Sequence, residues 1–179
     1  MNASTDTYCL FCATGREGAV ADKLFHMGYP ALSPVVMKWR PVGGKLRRVP
    51  TRLLPSYVFF DAAQEQDIAW ERITALPDVL RVLHYGDGAR ALRGGDLEFL
   101  SWIRRNEGTI DISRAVQVGS RIQFIDGPLK EFGGLVVKVN KNRKQVAINI
   151  GDESLAKLVW CAIEYVEANM EDGQLEKRA

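Results

Sequence analysis

Cysteine and histidine are both scarce here, with three and two copies in 179 residues. An odd, thin cysteine set excludes the disulfide scaffold of a small secreted domain and points to a reducing compartment. His26 and His84 sit in no cluster of residues at zinc-site spacing, so a metal site has no support. Long apolar runs are missing too: stretches such as Leu158 to Ile163 fall far short of the ~18 residues of a membrane span. Met1 to Thr7 lacks the basic-then-apolar layout of a signal peptide. The expectation is a cytoplasmic protein with no membrane partner. Gly43-Gly44-Lys45 lacks the upstream glycine and the Ser or Thr of a phosphate loop, and Gly86-Asp87-Gly88 lacks the third glycine of a dinucleotide loop. No Ser or Cys has a recognisable nucleophile context. The chain reads as no enzyme and as needing no cofactor.

What is present is an ordinary globular composition, 46% hydrophobic and 26% charged, with enough apolar residues for a real core. Against a typical size of about 150 residues per domain, the length fits one domain with an appendage or two small domains. Cys9 and Cys12 lie in Tyr8 to Thr14, an apolar stretch that reads as a buried strand. Residues three apart on a strand point to opposite faces, so these thiols are packing groups rather than a metal or redox pair.

The formal net charge of +2 says little; its distribution says more. Met37 to Arg52 carries six basic residues (Lys38, Arg40, Lys45, Arg47, Arg48, Arg52) and no acidic one, whereas Asp61 to Glu71 carries four acidic residues and no basic one. A basic run is either a solvated face or a surface for phosphates, and the run alone leaves both open.

Along the chain, Arg16 to Met27 has helical spacing with Gly28 as its stop. Ala31 to Pro41 and Lys45 to Leu54 read as arms of a projecting basic hairpin around Gly43-Gly44. Tyr57 to Phe60 reads as a central strand, Asp67 to Leu76 as a helix, Val79 to Leu83 as a short strand, and Leu97 to Arg105 as a helix with Asp96 as N-cap. The mixture predicts an α+β domain over residues 1–105, an antiparallel sheet covered by helices. Residues 106–117 read as a linker. Four strand-like runs follow (Arg121 to Asp126, Gly134 to Asn140, Gln145 to Ile150 and Leu158 to Val166), predicting a small β-barrel over 118–168 and a flexible tail over 169–179. Leu155 to Val166 would also line one helical face, an ambiguity that periodicity leaves standing; its β-branched and aromatic residues favour a strand.

Two segments carry a family resemblance. Val118 to Val139, with a strand, the Asp126-Gly127-Pro128 turn and Gly133-Gly134 before a second strand, resembles a KOW motif. Leu53-Leu54-Pro55-Ser56-Tyr57-Val58-Phe59 resembles the Pro-Gly-Tyr-Val segment of the NusG N-terminal domain, with Ser56 in the usual glycine's place. Tyr8 to Gly15, followed by a helix, resembles that domain's opening. The resemblance spans about Tyr8 to Glu167 and implies a NusG-type domain followed by an SH3-like KOW barrel, in a monomer. It also implies a transcription elongation factor whose N-terminal domain binds the clamp helices of the RNA polymerase β′ subunit through Leu54, Pro55, Tyr57 and Phe59. Leu54 stands where the family often has an aromatic. From the residues alone, Tyr57 and Phe59 read first as core; alternation lets one of the pairs Tyr57/Phe59 and Val58/Phe60 fill a core while the other faces a partner. The expectation is an open patch, with the barrel not refolded against it.

Gly151-Asp152-Glu153 stands where housekeeping members have the Phe-Gly-Arg that meets a ribosomal protein. Arg81 to Asp87, Asp126 to Lys130 and Val139 to Lys144 resemble the LoaP branch, antiterminators of long operons associated with a hairpin in the nascent RNA. That resemblance implies RNA contact at Lys130, Lys138, Lys141, Arg143 and Lys144, beside the N-terminal set Lys38, Arg40, Lys45, Arg47 and Arg48; a solubilising turn is the plain alternative. The function expected is a specialised antitermination factor recruited through nucleic acid. The alternative is a general elongation factor coupling polymerase to another protein through the KOW domain.

Overall fold

The computed structural model describes residues 5–63, 65–132, 136–152, 155 and 157–166. Gly133 to Leu135 of the KOW-like segment, Glu153 and the expected tail at 169–179 lie outside them.

The chain opens with β1 (Asp6–Cys12), α1 (Glu17–His26), β2 (Ala31–Leu32), β3 (Val35–Val42), β4 (Lys45–Arg52) and β5 (Tyr57–Ala62). After a single 3-10 turn at Glu65–Asp67 come α2 (Trp70–Thr74), β6 (Val79–Val82), α3 (Gly94–Arg105) and β7 (Thr109–Ile110). The remainder is β8 (Ser113–Val118), β9 (Arg121–Asp126), α4 (Pro128–Glu131), β10 (Val136–Asn140), β11 (Gln145–Ile150) and β12 (Lys157–Tyr165).

Three sheets result, in the orders β2-β5-β1-β6, β4-β3-β7 and β10-β11-β12-β8-β9. Pairs within the first are antiparallel; β3 with β7 and β12 with β8 are parallel. Both central strands of the first sheet are buried on two faces, and alternation sorts their side chains. Tyr8, Leu10, Cys12, Val58 and Phe60 share one core with Val20 and Leu24 of α1 and with Ile73 of α2. Cys9, Tyr57 and Phe59 belong to the opposite core. The two thiols therefore point apart, as their spacing requires.

Gly43 and Gly44 both take positive φ, +58° and +76°, the geometry of a type I′ turn whose twist matches the flanking strands. It closes a ladder running from Val35↔Arg52 to Val42↔Lys45. The tip beyond Trp39 projects into solvent, a basic hairpin of the expected form.

Three expectations need correction. Asp96 is not the N-cap of its helix: α3 begins at Gly94, with extended Arg93 at the cap, and Asp96 turns inward, fully buried. The helix expected over Asp67 to Leu76 is cut to α2, because the 3-10 turn occupies its start. The expected linker at 106–117 carries β7 and β8. Its strand character was hidden because the buried positions of β8 include the small Ser113 and Ala115, where periodicity finds no large apolar residue. The small size matters: a Cβ on Gly127, itself at φ +90°, would lie 2.7 Å from the Ser113 Cα, so strand and turn touch there. Within Leu155 to Val166, ambiguous by periodicity, the chain is strand over Lys157–Tyr165.

Candidate interaction surfaces

The first surface is built on Ser56. It holds φ +74°, a left-handed conformation that costs a residue with a Cβ roughly 1–2 kcal/mol. Hydrogen bonds offset the strain. Ser56 N–H donates to Glu17 Oε1 at 2.7 Å, and the Ser56 and Thr14 hydroxyls lie 2.7 Å apart. Burial pushes the Glu17 carboxyl upward, but backbone donors at Ser56, Glu17 and Gly15, with Arg52 nearby, outweigh it and hold its pKa below the usual value. This bend leaves Pro55 exposed and turns Leu54, Tyr57 and Phe59 onto one side.

That side is not open. Leu54, Tyr57 and Phe59 are 2%, 5% and 0% exposed, in one core with Val146, Ile148 and Ile150 of β11 and Val159, Cys161 and Ile163 of β12. The Lys157 ammonium sits 4.0 Å from the centroid of the Tyr57 ring, a cation–π contact from the C-terminal half. The expectation of an uncovered patch is therefore corrected. The cover is a β-sheet rather than a helical hairpin, as the strand-forming residues of Leu155 to Val166 argued.

Polar contacts fasten the two halves. Asp96 Oδ1 accepts the backbone N–H of Asp152 at 3.1 Å and of Leu155 at 3.3 Å, while Asp96 Oδ2 accepts the Tyr85 hydroxyl at 2.9 Å. Burial, and then the bond to Asp96, push the Tyr85 hydroxyl up to about 12, so it is the donor at neutral pH. Trp102 Nε1 donates to Pro128 O at 3.0 Å, and its ring packs on Phe132 with centroids 4.7 Å apart.

The second surface gathers part of both basic sets. Lys38 and Arg40 on β3 meet Arg143 and Lys144, in the turn between β10 and β11, around a cleft of about 630 Å³ shared with Trp39 and Trp160. Burial, then repulsion from Arg40, lowers the Lys38 pKa. The other expected cations lie apart from the cleft lining. Lys45, Arg47 and Arg48 sit on the exposed hairpin, where Arg48 pairs with Asp111. Lys138 lies on β10, Lys141 opens the turn, and Lys130 sits on α4 beside a depression lined by Asn106 and Asp126. Sequence reasoning missed Trp39 and Trp160. Trp39 had a local signal, an aromatic between two cations; Trp160 had none, since it reaches the cleft only through packing of β12 on β3.

Comparison with known proteins follows the same outline. The family model described as "Transcription termination factor nusG" matches residues 6–97. The "Transcription termination/antitermination protein NusG" of Synechocystis sp. is 26% identical over 160 residues, covering 81% of this chain and 75% of that protein. The solved structure "Domain interaction in Thermotoga maritima NusG" is similar with a TM-score of 0.50 and 19% identity, covering 89% of this chain and 94% of that one. At that identity the likeness is one of fold.

Proposed function

This chain belongs to the NusG family, whose members are transcription factors that interact with RNA polymerase, and we propose that it is a specialised elongation and antitermination factor recruited through nucleic acid. In this reading its N-terminal half grips the β′ clamp helices through Leu54, Pro55, Tyr57 and Phe59, and the C-terminal sheet is a KOW domain. The observation that carries the reading is the division of β5. Val58 and Phe60 fill the core under α1, whereas Tyr57 and Phe59 form a second apolar face that shares its core with a separate sheet. A face covered by a sheet that contains no N-terminal strand can exchange that cover for another apolar partner of similar shape. The exposed cations of the β3–β4 hairpin supply the counterion-releasing surface that nucleic-acid recruitment needs. The resemblance of Val139 to Lys144 to the LoaP branch favours RNA as the recruiting element.

Purified polymerase passed over the immobilised full chain tests this. Wild type should retain it weakly, Asp152→Ala more strongly because the cover is loosened, and Asp152→Ala combined with Pro55→Asp poorly. No retention by any variant, with the folds intact, would remove the proposal.

A further inference from the structure

We infer that the cleft between β3 and the β10–β11 turn binds an unpaired stretch of nucleic acid, and that only the closed arrangement of the two halves builds this site. The inference rests on the proposed function for the class of ligand and goes beyond it: the cleft belongs to the closed chain, so its ligand opposes the uncovering of Tyr57 and Phe59, and recruitment stays with the hairpin cations.

Charge is the first argument. Lys38 and Arg40 come from the N-terminal half and Arg143 and Lys144 from the C-terminal half, and no carboxylate lines the cleft among the described residues. Closure thus presses like charges together, and an anion lodged between them relieves the repulsion. Phosphates spaced along a strand suit cations spread over two walls.

The uncharged lining narrows the anion to one that carries bases. Trp39 and Trp160 are both partly buried at the cleft, and stacking on indole rings accepts any base because every base has a π-face. Asn142 and Gln145 add carboxamides, which donate and accept as base edges do. An acidic peptide would use the cations and leave the rings and amides idle. A duplex presents its bases stacked and paired, so it offers the indole rings no free base face.

The C-terminal wall is rigid before any ligand arrives. Asn140 Oδ1 accepts the Arg143 N–H at 3.0 Å, Lys144 N–H donates to Lys141 O at 3.1 Å, and Lys144 O accepts the Ile163 N–H at 2.9 Å. Lys144 holds φ +50° within this frame. The turn is tied to β12, the strand that packs on β3, so its cations keep a fixed distance from the N-terminal wall only while the halves are closed. By linkage, a ligand that needs both walls stabilises closure.

The test uses the full chain and a labelled single strand of about six nucleotides, within the site size of one small binding domain. RNA and DNA versions distinguish the source of the strand, and a blunt duplex is the third probe. Lys38→Gln and Arg143→Gln, on opposite walls, should each weaken binding about tenfold, because each removes a charged contact from the one site. Each should lower the salt slope by about 0.7. Asp152→Ala, outside the cleft, should weaken binding as well by loosening closure. Thermal unfolding of each variant checks that its fold is intact. Full affinity after either charge removal, full affinity in an opened Asp152→Ala protein, or equal affinity for the duplex would overturn the inference. Polymerase retention without oligonucleotide binding would sink the cleft and spare the proposed function; the reverse result would do the opposite.

Discussion

Asp96 and Asp152 exchange backbone caps across the two halves of the chain: Asp96 Oδ1 accepts the Asp152 N–H at 3.1 Å, and Asp152 Oδ2 accepts the N–H of Gly95, the neighbour of Asp96, at 2.9 Å. The Asp152 carboxylate thereby lies at the N-terminus of α3, where unpaired N–H groups and the helix dipole both favour an anion. Glycine is needed on both sides. A Cβ on Gly95 would lie 2.9 Å from the Asp152 Cγ, and one on Gly151, at φ +63°, would lie 2.5 Å from Asp96 Oδ1.

Removing one side of this exchange tests whether it holds the cover in place. Asp152→Ala should lower stability by about 1 kcal/mol, the usual worth of a helix cap. Tryptic cleavage or hydrogen exchange around Tyr57 should rise out of proportion to that loss, because the variant opens before it unfolds. Protection at Tyr57 equal to wild type would show that apolar contact alone keeps the halves together.

Tyr57 and Phe59 are core residues in the closed chain, and their truncation should act accordingly. Phe59→Ala deletes a wholly buried ring and should cost about 3–5 kcal/mol in urea unfolding. Loss of polymerase binding in that variant would then report unfolding, so exposed Pro55 is the cleaner probe of the contact. A cost under about 1 kcal/mol would mean that the face is uncovered in solution.

Ser56 shows how far a residue pattern can be read and where it stops. The strand at Tyr57 to Phe60 was legible, and alternation along it divided its side chains between two faces; the left-handed bend at Ser56 was not. Strand and alternation are local properties and local sequence carries them. What covers the Tyr57 face is decided by residues about a hundred positions away, and no periodicity records that. The same holds for the cleft: Lys38 and Arg143 stood out as members of separate basic runs, and only the packing of β12 on β3 joins them. Asp96 was legible as a helix-start residue, but its inward turn depends on Tyr85 and on the Asp152 backbone.

Backbone strain at Ser56 gives a paired prediction. Ser56→Gly relieves the left-handed φ and loses the hydroxyl contact with Thr14, two effects of about 1 kcal/mol and opposite sign, so the urea midpoint should barely move. Ser56→Val keeps the strain, adds a branched Cβ and loses the hydroxyl, and should destabilise clearly. A valine variant as stable as wild type would mean that the bend relaxes without cost.

The Glu17 carboxylate makes stability fall in acid. Burial raises its pKa, but the N–H donors of Ser56, Glu17 and Gly15 win and leave it depressed in the folded chain. A depressed folded pKa contributes stability above the unfolded value, about 4.3, and that contribution is lost as pH falls through the folded value. Glu17→Gln should flatten this part of the profile, seen as a smaller drop in melting temperature between neutral and acid pH. An unchanged acid slope in Glu17→Gln would assign the loss to other carboxylates.

Opening of the cover should be a rigid separation without refolding. β12 pairs with β11 over six positions from Gln145↔Ala162 to Ile150↔Lys157, and with β8 from Ile163↔Ser113 to Tyr165↔Ala115. All of these ladder bonds lie within the C-terminal sheet, so lifting that sheet from Tyr57 and Phe59 breaks none of them. A switch to helix would have to give up both ladders, in a segment whose Trp160, Ile163 and Tyr165 favour strands. Backbone chemical shifts over residues 157–165 should therefore keep strand values in both wild type and Asp152→Ala, while shifts at Tyr57, Phe59 and Lys157 move. Helical values across that stretch in the opened variant would show that separation and refolding are a single event.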